Sequence, residues 1–290
     1  MMTAIDRDCL PTTADIAFFR EHGWWLSPPL FSDAELDRAI ALQDRYYAGE
    51  HAQLPESWPW DRSSGIPEDP AALRKNDYSS ILMPALQLIS HKPVLGACAA
   101  ALMGSDQVRL WHDQLLYKPP RPQGRTVSGQ TAVGWHADRN YWRTCTGPLL
   151  TAWVPFTDIT PDMGPIAFLD KSQDWELLEE LDFFSDDLIG QEAIMSTNGK
   201  VVQKIVPSYR RGQVSFHDWR TVHGSTPNTS DRPRRSMAVH LQAGDNRWWS
   251  RARPDGSLHG HANDHLVRRD AAGNPDYTDP EWCPQLWPRD

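Results

Sequence analysis

Gly134-Trp135-His136-Ala137-Asp138 sets an imidazole and a carboxylate two residues apart among residues that favour a strand. Successive strand side chains point to opposite faces, so His136 and Asp138 are expected to share one. A single metal ion needs a further protein ligand. The best candidate is His223 in Thr221-Val222-His223-Gly224-Ser225-Thr226-Pro227, 85 residues beyond Asp138 (223 − 138). Only a β-barrel or sandwich that brings distant strands together can close that gap. Two imidazoles and one carboxylate that leave positions open are the facial triad of non-haem Fe(II) sites. A lone His-x-Asp is more often a surface turn or a satisfied hydrogen bond. Its surroundings give it weight: Arg232-Pro233-Arg234-Arg235 runs into Ser236-Met237-Ala238-Val239-His240-Leu241-Gln242, which alternates like a half-buried strand. An Arg at the mouth of such a strand suits a carboxylate gripped by two parallel hydrogen bonds. Arg235, the next residue, is expected on the opposite face as a solvated charge.

Outward from this centre the period stays at two. Arg109 to Tyr117 reads as a strand with His112, Gln114 and Lys118 on one face, and Leu149 to Pro155 as a core strand on which Thr151 and Trp153 share a face. Strands over 203–207 and 213–217 flank a turn at Gly212. Residues 172–196 are acidic and partly helical, an expected insertion over the barrel mouth. The loop 119–130 is rich in Pro, Gly, Arg and Ser and is a candidate lid or a plain surface loop. The first 105 residues read as mostly helical. Thr13 caps a helix that stops at Gly23, and Trp24-Trp25-Leu26 forms a short strand. Ser32-Asp33-Ala34-Glu35 is a capping box, followed at helical spacing by Leu36, Ile40, Gln43 and Tyr47. A further helical stretch from Ile81 to Leu102 breaks near Pro93. The pattern predicts a mainly β fold with flanking helices, a double-stranded β-helix of the jelly-roll, cupin-like kind. One domain over 1–290 is expected: a helical support layer (1–105), a jelly-roll core (106–245) and a tail (246–290).

Thirty-eight acidic against 29 basic residues give a net charge of −9. This argues against nucleic acid or an anionic membrane as partner, since both reward clustered positive charge. Cys9, Cys98, Cys145 and Cys283 are scattered, which predicts reduced thiols in a cytoplasm. No run reaches the ~18 apolar residues of a membrane span. Of the 14 Trp, several join Tyr141 around the motifs: Trp135, Trp142, Trp219, Trp248 and Trp249. They suit either a bulky substrate or the filling of irregular loops.

Tyr117-Lys118-Pro119-Pro120, Trp135-His136-Ala137-Asp138 with Tyr141-Trp142, Thr151 to Asp158, Met163-Gly164-Pro165, and His223-Gly224-Ser225 with Arg234 eleven positions on share an order and spacing. Together, over residues 108–242, they resemble the phytanoyl-CoA dioxygenase (PhyH-like) family of Fe(II)- and 2-oxoglutarate-dependent oxygenases. One segment departs from the family pattern: Leu169-Asp170-Lys171-Ser172-Gln173 stands where Pro-Gly-Ser-His is usual, which bears on substrate contacts. The resemblance implies Fe(II) on His136, Asp138 and His223, with O2 as co-substrate. It implies 2-oxoglutarate with its distal carboxylate on Arg234 and Ser225, and Gln114, Thr151 and Trp153 completing that pocket. His112, His217 and His240 are expected as supporting residues. The implied activity is hydroxylation, or an oxidative epimerisation or cyclisation, of a bulky small-molecule secondary metabolite by a monomer or homodimer. Two other readings use the same residues. A zinc-dependent hydrolase would employ the three ligands but has no use for the Arg234 clamp, and a non-catalytic binding jelly roll has no need of ligands and clamp together.

Overall fold

Two antiparallel sheets follow from this alternation. The chain is described by a computed structural model for residues 7–58, 67–120, 124, 126–176 and 179–288. The larger sheet runs β1 (Trp24–Leu26), β8 (Ser215–Asp218), β5 (Leu149–Pro155), β10 (Arg234–Ala243), β3 (Val108–Lys118), β11 (Gln285–Trp287), and β2 (Arg74–Asp77) also pairs with β3. The smaller runs β4 (Val133–His136), β9 (His223–Ser225), β6 (Ala167–Leu169), β7 (Lys204–Ile205). This is the double-sheet, jelly-roll arrangement that the sequence predicts, covered on one side by helices.

Alternation sorts each central strand. Leu150, Ala152 and Val154 on β5, with Met237, Val239 and Leu241 on β10, face a hydrophobic core. Thr151, Trp153, Ala238 and His240 face the space between the sheets. The core is closed by α1 (Thr13–His22), α2 (Asp33–Tyr47), α3 (Ser79–Leu82), α4 (Gln87–Ser90) and α5 (Pro93–Met103), which contribute Phe19, Leu36, Leu82, Ile89 and Leu95 among others. Among the described residues the remaining α-helices are α6 (Leu188–Thr197), in the acidic insertion, and α7 (Asn263–Leu266).

β3 does not alternate evenly. Its register with β10 pairs His112 with His240 but Leu110 with Leu241, so Trp111 is an extra, unpaired residue, a β-bulge. Leu110 and Leu115 therefore both reach the helical core. His112, Gln114 and Leu116 face the cavity, and Trp111 packs into a separate cluster with Trp142 and Tyr277.

Several local expectations need correction. Thr12, not Thr13, caps α1: its hydroxyl accepts from Asp15 N and the Asp15 carboxylate accepts from Thr12 N at 2.8 Å. The α2 capping box on Ser32 and Glu35 forms as expected. The Ile81 to Leu102 stretch is several pieces, because Pro84 opens a 3-10 turn and Pro93 starts a new helix. His136 and Asp138 do not lie on one strand. β4 ends at His136, and Asp138 opens a 3-10 turn over Asp138–Asn140. β2 had no apolar alternation to betray it, and β11 in the tail was likewise unread. Residues 59–66, and residues 121–123 and 125 of the candidate lid, lie outside the described residues.

Candidate active site

A cavity of about 490 Å³ lies between the sheets. On one wall His136 closes β4 and His223 opens β9, paired directly across the ladder. Asp138 follows on its turn. Asp138 Oδ1 lies 3.7 Å from His136 Nε2 and 3.8 Å from His223 Nε2, and one ligand atom from each of the three falls within 4.8 Å of the others. The backbone fixes the tautomers. His136 Nδ1 donates to the Gly134 carbonyl at 2.8 Å and His223 Nδ1 to the Thr221 carbonyl at 3.0 Å, so both Nε2 atoms present lone pairs. Burial depresses the pKa of both imidazoles. Burial would raise the Asp138 carboxyl, but the imidazoles of His223 and His217 beside it outweigh that and hold it well below the usual carboxylate range. Two neutral imidazoles and an ionised carboxylate are the donor set that a divalent ion requires, and this set fits iron.

Asp138 is held from behind. Thr151 Oγ1 lies 2.7 Å from Asp138 Oδ2 and 2.8 Å from His240 Nδ1. An ionised carboxylate only accepts, so the Thr151 hydroxyl donates to it and His240 Nδ1 donates to Thr151. His217 Nε2 stands 3.6 Å from the same carboxylate oxygen.

The other end of the cavity is cationic. Lys118 and Arg234 face each other across β3 and β10 and are both almost fully buried. Lys118 Nζ donates to Ser225 Oγ at 2.7 Å, to the Thr226 carbonyl at 2.6 Å and to the Ser225 carbonyl at 3.2 Å. Arg234 donates to the Gly164 carbonyl at 2.7 Å and lies over the Trp153 ring, 5.5 Å from its centroid. Burial lowers the Arg234 pKa to about 9. Burial, and then Arg234 itself, lowers that of Lys118 well below its ordinary value. Two buried basic side chains that are not ion-paired among the described residues suit this end of the cavity to an anion. Because Lys118 donates to Ser225 Oγ, the Ser225 proton is free to point at that anion.

The predicted residues thus converge, with adjustments. Ser225 and Trp153 stand with Arg234 at the cationic end. Thr151 serves Asp138 instead. Gln114 lines the cavity, but its amide donates to Asp77 at 2.8 Å, four residues along β3 from Lys118, roughly 13 Å of strand. Arg235 faces outward, 2.6 Å from Asp44. Of the clustered aromatics only Tyr141 and Trp142 line the cavity. Trp135 packs on the outer side of the smaller sheet, Trp219 and Trp248 fill a separate cluster, and Trp249 is exposed. The departing segment 169–173 tethers α1: Asp170 accepts from His22 Nδ1 and Trp24 Nε1, and Gln173 donates to the Arg20 and Glu21 carbonyls. Sequence reasoning gave Lys118 no role, although it shares a face with Gln114, and it missed Lys75 and Asp77 on the unread β2.

The family model described as "Phytanoyl-CoA dioxygenase (PhyH)" matches residues 19–236. No curated protein matches the sequence. Among solved structures, the non-haem α-ketoglutarate-dependent epimerase SnoN from nogalamycin biosynthesis superposes with a TM-score of 0.67 at 20% identity, over 94% of this chain and 97% of that one. The carbocyclase SnoK from the same biosynthesis gives 0.68 at 20%, over 94% and 96%. EctD from S. alaskensis, seen with 2-oxoglutarate and 5-hydroxyectoine, gives 0.61 at 20%, over 93% and 91%. Identities this low speak to the fold alone. The family match spans well over half of the chain and holds both the His136, Asp138, His223 cluster and Arg234, so the chain belongs to the phytanoyl-CoA dioxygenase family of iron- and 2-oxoglutarate-dependent oxygenases.

Proposed function

We propose that this oxygenase tailors a bulky small-molecule secondary metabolite, with hydroxylation as the default outcome and epimerisation or ring closure open to the same residues. The observation that carries the reading is that the buried His136, Asp138 and His223 donor set lines one cavity with Arg234 and Ser225, and that Lys118 is buried behind Ser225. His136, Asp138 and His223 would hold the iron. When bound there with 2-oxoglutarate, iron supplies the oxidising chemistry of the class, consuming O2 and releasing succinate and CO2. Arg234 and Ser225 would grip the distal carboxylate, with Lys118 fixing the Ser225 rotor. Thr151 and His240 keep Asp138 ionised and aimed. Tyr141, Trp142 and Phe183 wall the remaining space and limit water around the reacting carbon. SnoN and SnoK, an epimerase and a carbocyclase by description, and EctD with its hydroxylated ligand illustrate how one fold serves several such outcomes. We read 1–290 as one domain acting as a monomer or homodimer. The scattered spacing of the four cysteines supports a reducing, cytoplasmic setting.

The test is metal reconstitution. Chelator-stripped protein is expected to regain 2-oxoglutarate turnover with Fe(II) and not with Zn(II), and a screen that follows succinate release then identifies the substrate. Turnover of an ester or amide with Zn(II), without 2-oxoglutarate, would sink the reading.

A further inference from the structure

The cavity has a third chemical region, distinct from the metal donors and the cationic clamp. β2 is an edge strand whose alternation sends Arg74 onto the rings of Tyr47 and Tyr117, while Lys75 and Asp77 face the cavity. Their ion pair is long: Lys75 Nζ, which also lies over the Phe183 ring, donates to Asp77 Oδ2 at 3.4 Å, against the ~2.7–2.9 Å of a short charged hydrogen bond. Their side chains keep 25% and 29% of their surface exposed, so both can reach a ligand. Gln114 occupies Asp77 Oδ1, while Oδ2 carries only the long bond from Lys75 among the described residues, the bond a ligand would replace.

What surrounds the pair narrows the ligand. Behind it His112 stacks on Tyr78 and lies 4.3 Å from the ring of His240. Burial keeps His112, His240 and His261 neutral, so they add no charge to the region. Tyr78, Trp142 and Phe183 offer flat apolar faces. A carboxylate or phosphate placed here would meet the Asp77 carboxylate, and an ammonium would meet Lys75. A hydroxyl both donates and accepts, so two adjacent hydroxyls satisfy both partners while the ring that carries them lies on the aromatic wall.

Resting on the oxygenase reading above, we propose that Lys75 and Asp77 are the specificity pair for a neutral, polyhydroxylated ring of the substrate, a sugar or cyclitol unit. One hydroxyl donates to Asp77 and its neighbour accepts from Lys75. The contact to His112, and from His240 through Thr151 to Asp138, puts that ring beside the metal donors.

The test uses saturation-transfer NMR on the protein loaded with Zn(II), as a diamagnetic stand-in, and 2-oxoglutarate. The probes are methyl β-glucoside, myo-inositol, glucuronate, cyclohexylammonium and phenylalanine. The neutral polyols are expected to bind, with the three charged probes weaker by at least about tenfold. Asp77→Asn and Lys75→Met should each weaken polyol binding by about tenfold, the loss of one hydrogen bond to a charged group, without changing 2-oxoglutarate affinity. Polyol binding unmoved by both variants, a charged probe that binds as tightly as the polyols, or no polyol binding at all overturns the proposal. The wild-type comparison alone decides the matter if a variant fails to fold. The same samples separate the two claims: failure to bind metal and 2-oxoglutarate sinks the oxygenase reading, whereas intact binding without polyol selectivity sinks only the specificity pair.

Discussion

Thr151 shows how much a single hydroxyl governs here. It donates to Asp138 and accepts from His240, so Thr151→Val removes the donor while keeping the shape. Partners of metal ligands are worth roughly 10–100-fold in metal affinity, and Fe(II) titration of the variant should show a loss in that range. Unchanged affinity would mean that Asp138 is oriented without Thr151. Arg234→Ala should raise the KM for 2-oxoglutarate by roughly 30-fold or more, the equivalent of losing about 2 kcal/mol or more from a buried charged contact. Arg235→Ala, which loses a pair with Asp44, a bond to Gln43 and a place over the Tyr117 ring, all outside the cavity lining, should leave KM in place, and the reverse ranking would contradict the assignment. At this scale the sequence was legible wherever a motif marked a place: His136, Asp138, His223, Ser225 and Arg234 could all be named from spacing and resemblance, and they meet in one cavity. Lys118 and Asp77 could not, because their meaning depends on partners more than 30 residues away, Ser225 for one and Gln114 for the other.

Elements carry their own demands. Gly164 sits at φ +63, and a Cβ there would lie 2.2 Å from the Thr226 carbonyl oxygen. Its own carbonyl receives Arg234. Gly164→Ala is therefore expected both to lower the melting temperature and to raise the KM for 2-oxoglutarate, and a stability loss with normal KM would show that the clamp does not depend on this turn. At the start of α2, Ser32→Ala removes an N-cap and should cost about 1 kcal/mol in urea unfolding with no kinetic effect. That capping box was readable because it is wholly local, as were the strands β5 and β10 with their strict alternation. β2 was not: Arg74, Lys75, Asn76 and Asp77 are all polar, and only pairing with β3 makes them a strand. The phase of β3 was hidden for the same reason, since a bulge is set by the partner strand and not by composition.

The whole molecule holds an unusual load of buried imidazole. His112, His136, His223, His240 and His261 all titrate below 6.5, first because of burial, with His240 brought down to about 3. In the unfolded chain these rings take up protons as the pH falls through about 6.5, and in the folded one they do not, so the unfolded state binds more protons and stability drops with pH. Asp138 adds nothing to this window, because its stabilising ionisation is lost only well below pH 3.8. The urea midpoint of the metal-free protein should fall between about pH 7 and pH 5, and a flat profile would show that these rings are not buried and neutral. One irregularity breaks the alternation that lines this interior. β3 is two alternating patterns out of phase by one residue, spliced at Trp111. Deleting that residue would bring the halves into phase. His112 would then follow Leu110 directly, and plain alternation would still turn His112, Gln114 and Leu116 to the cavity and Leu115 to the core. The bulge thus adds Trp111 to the cluster of Trp142 and Tyr277 without changing what the strand shows the cavity. Losing Asp113 instead, with the bulge kept, would turn the rest of the strand over, in the way that a shifted reading frame rewrites a gene: most substitutions edit one word, and one misplaced deletion rewrites the sentence.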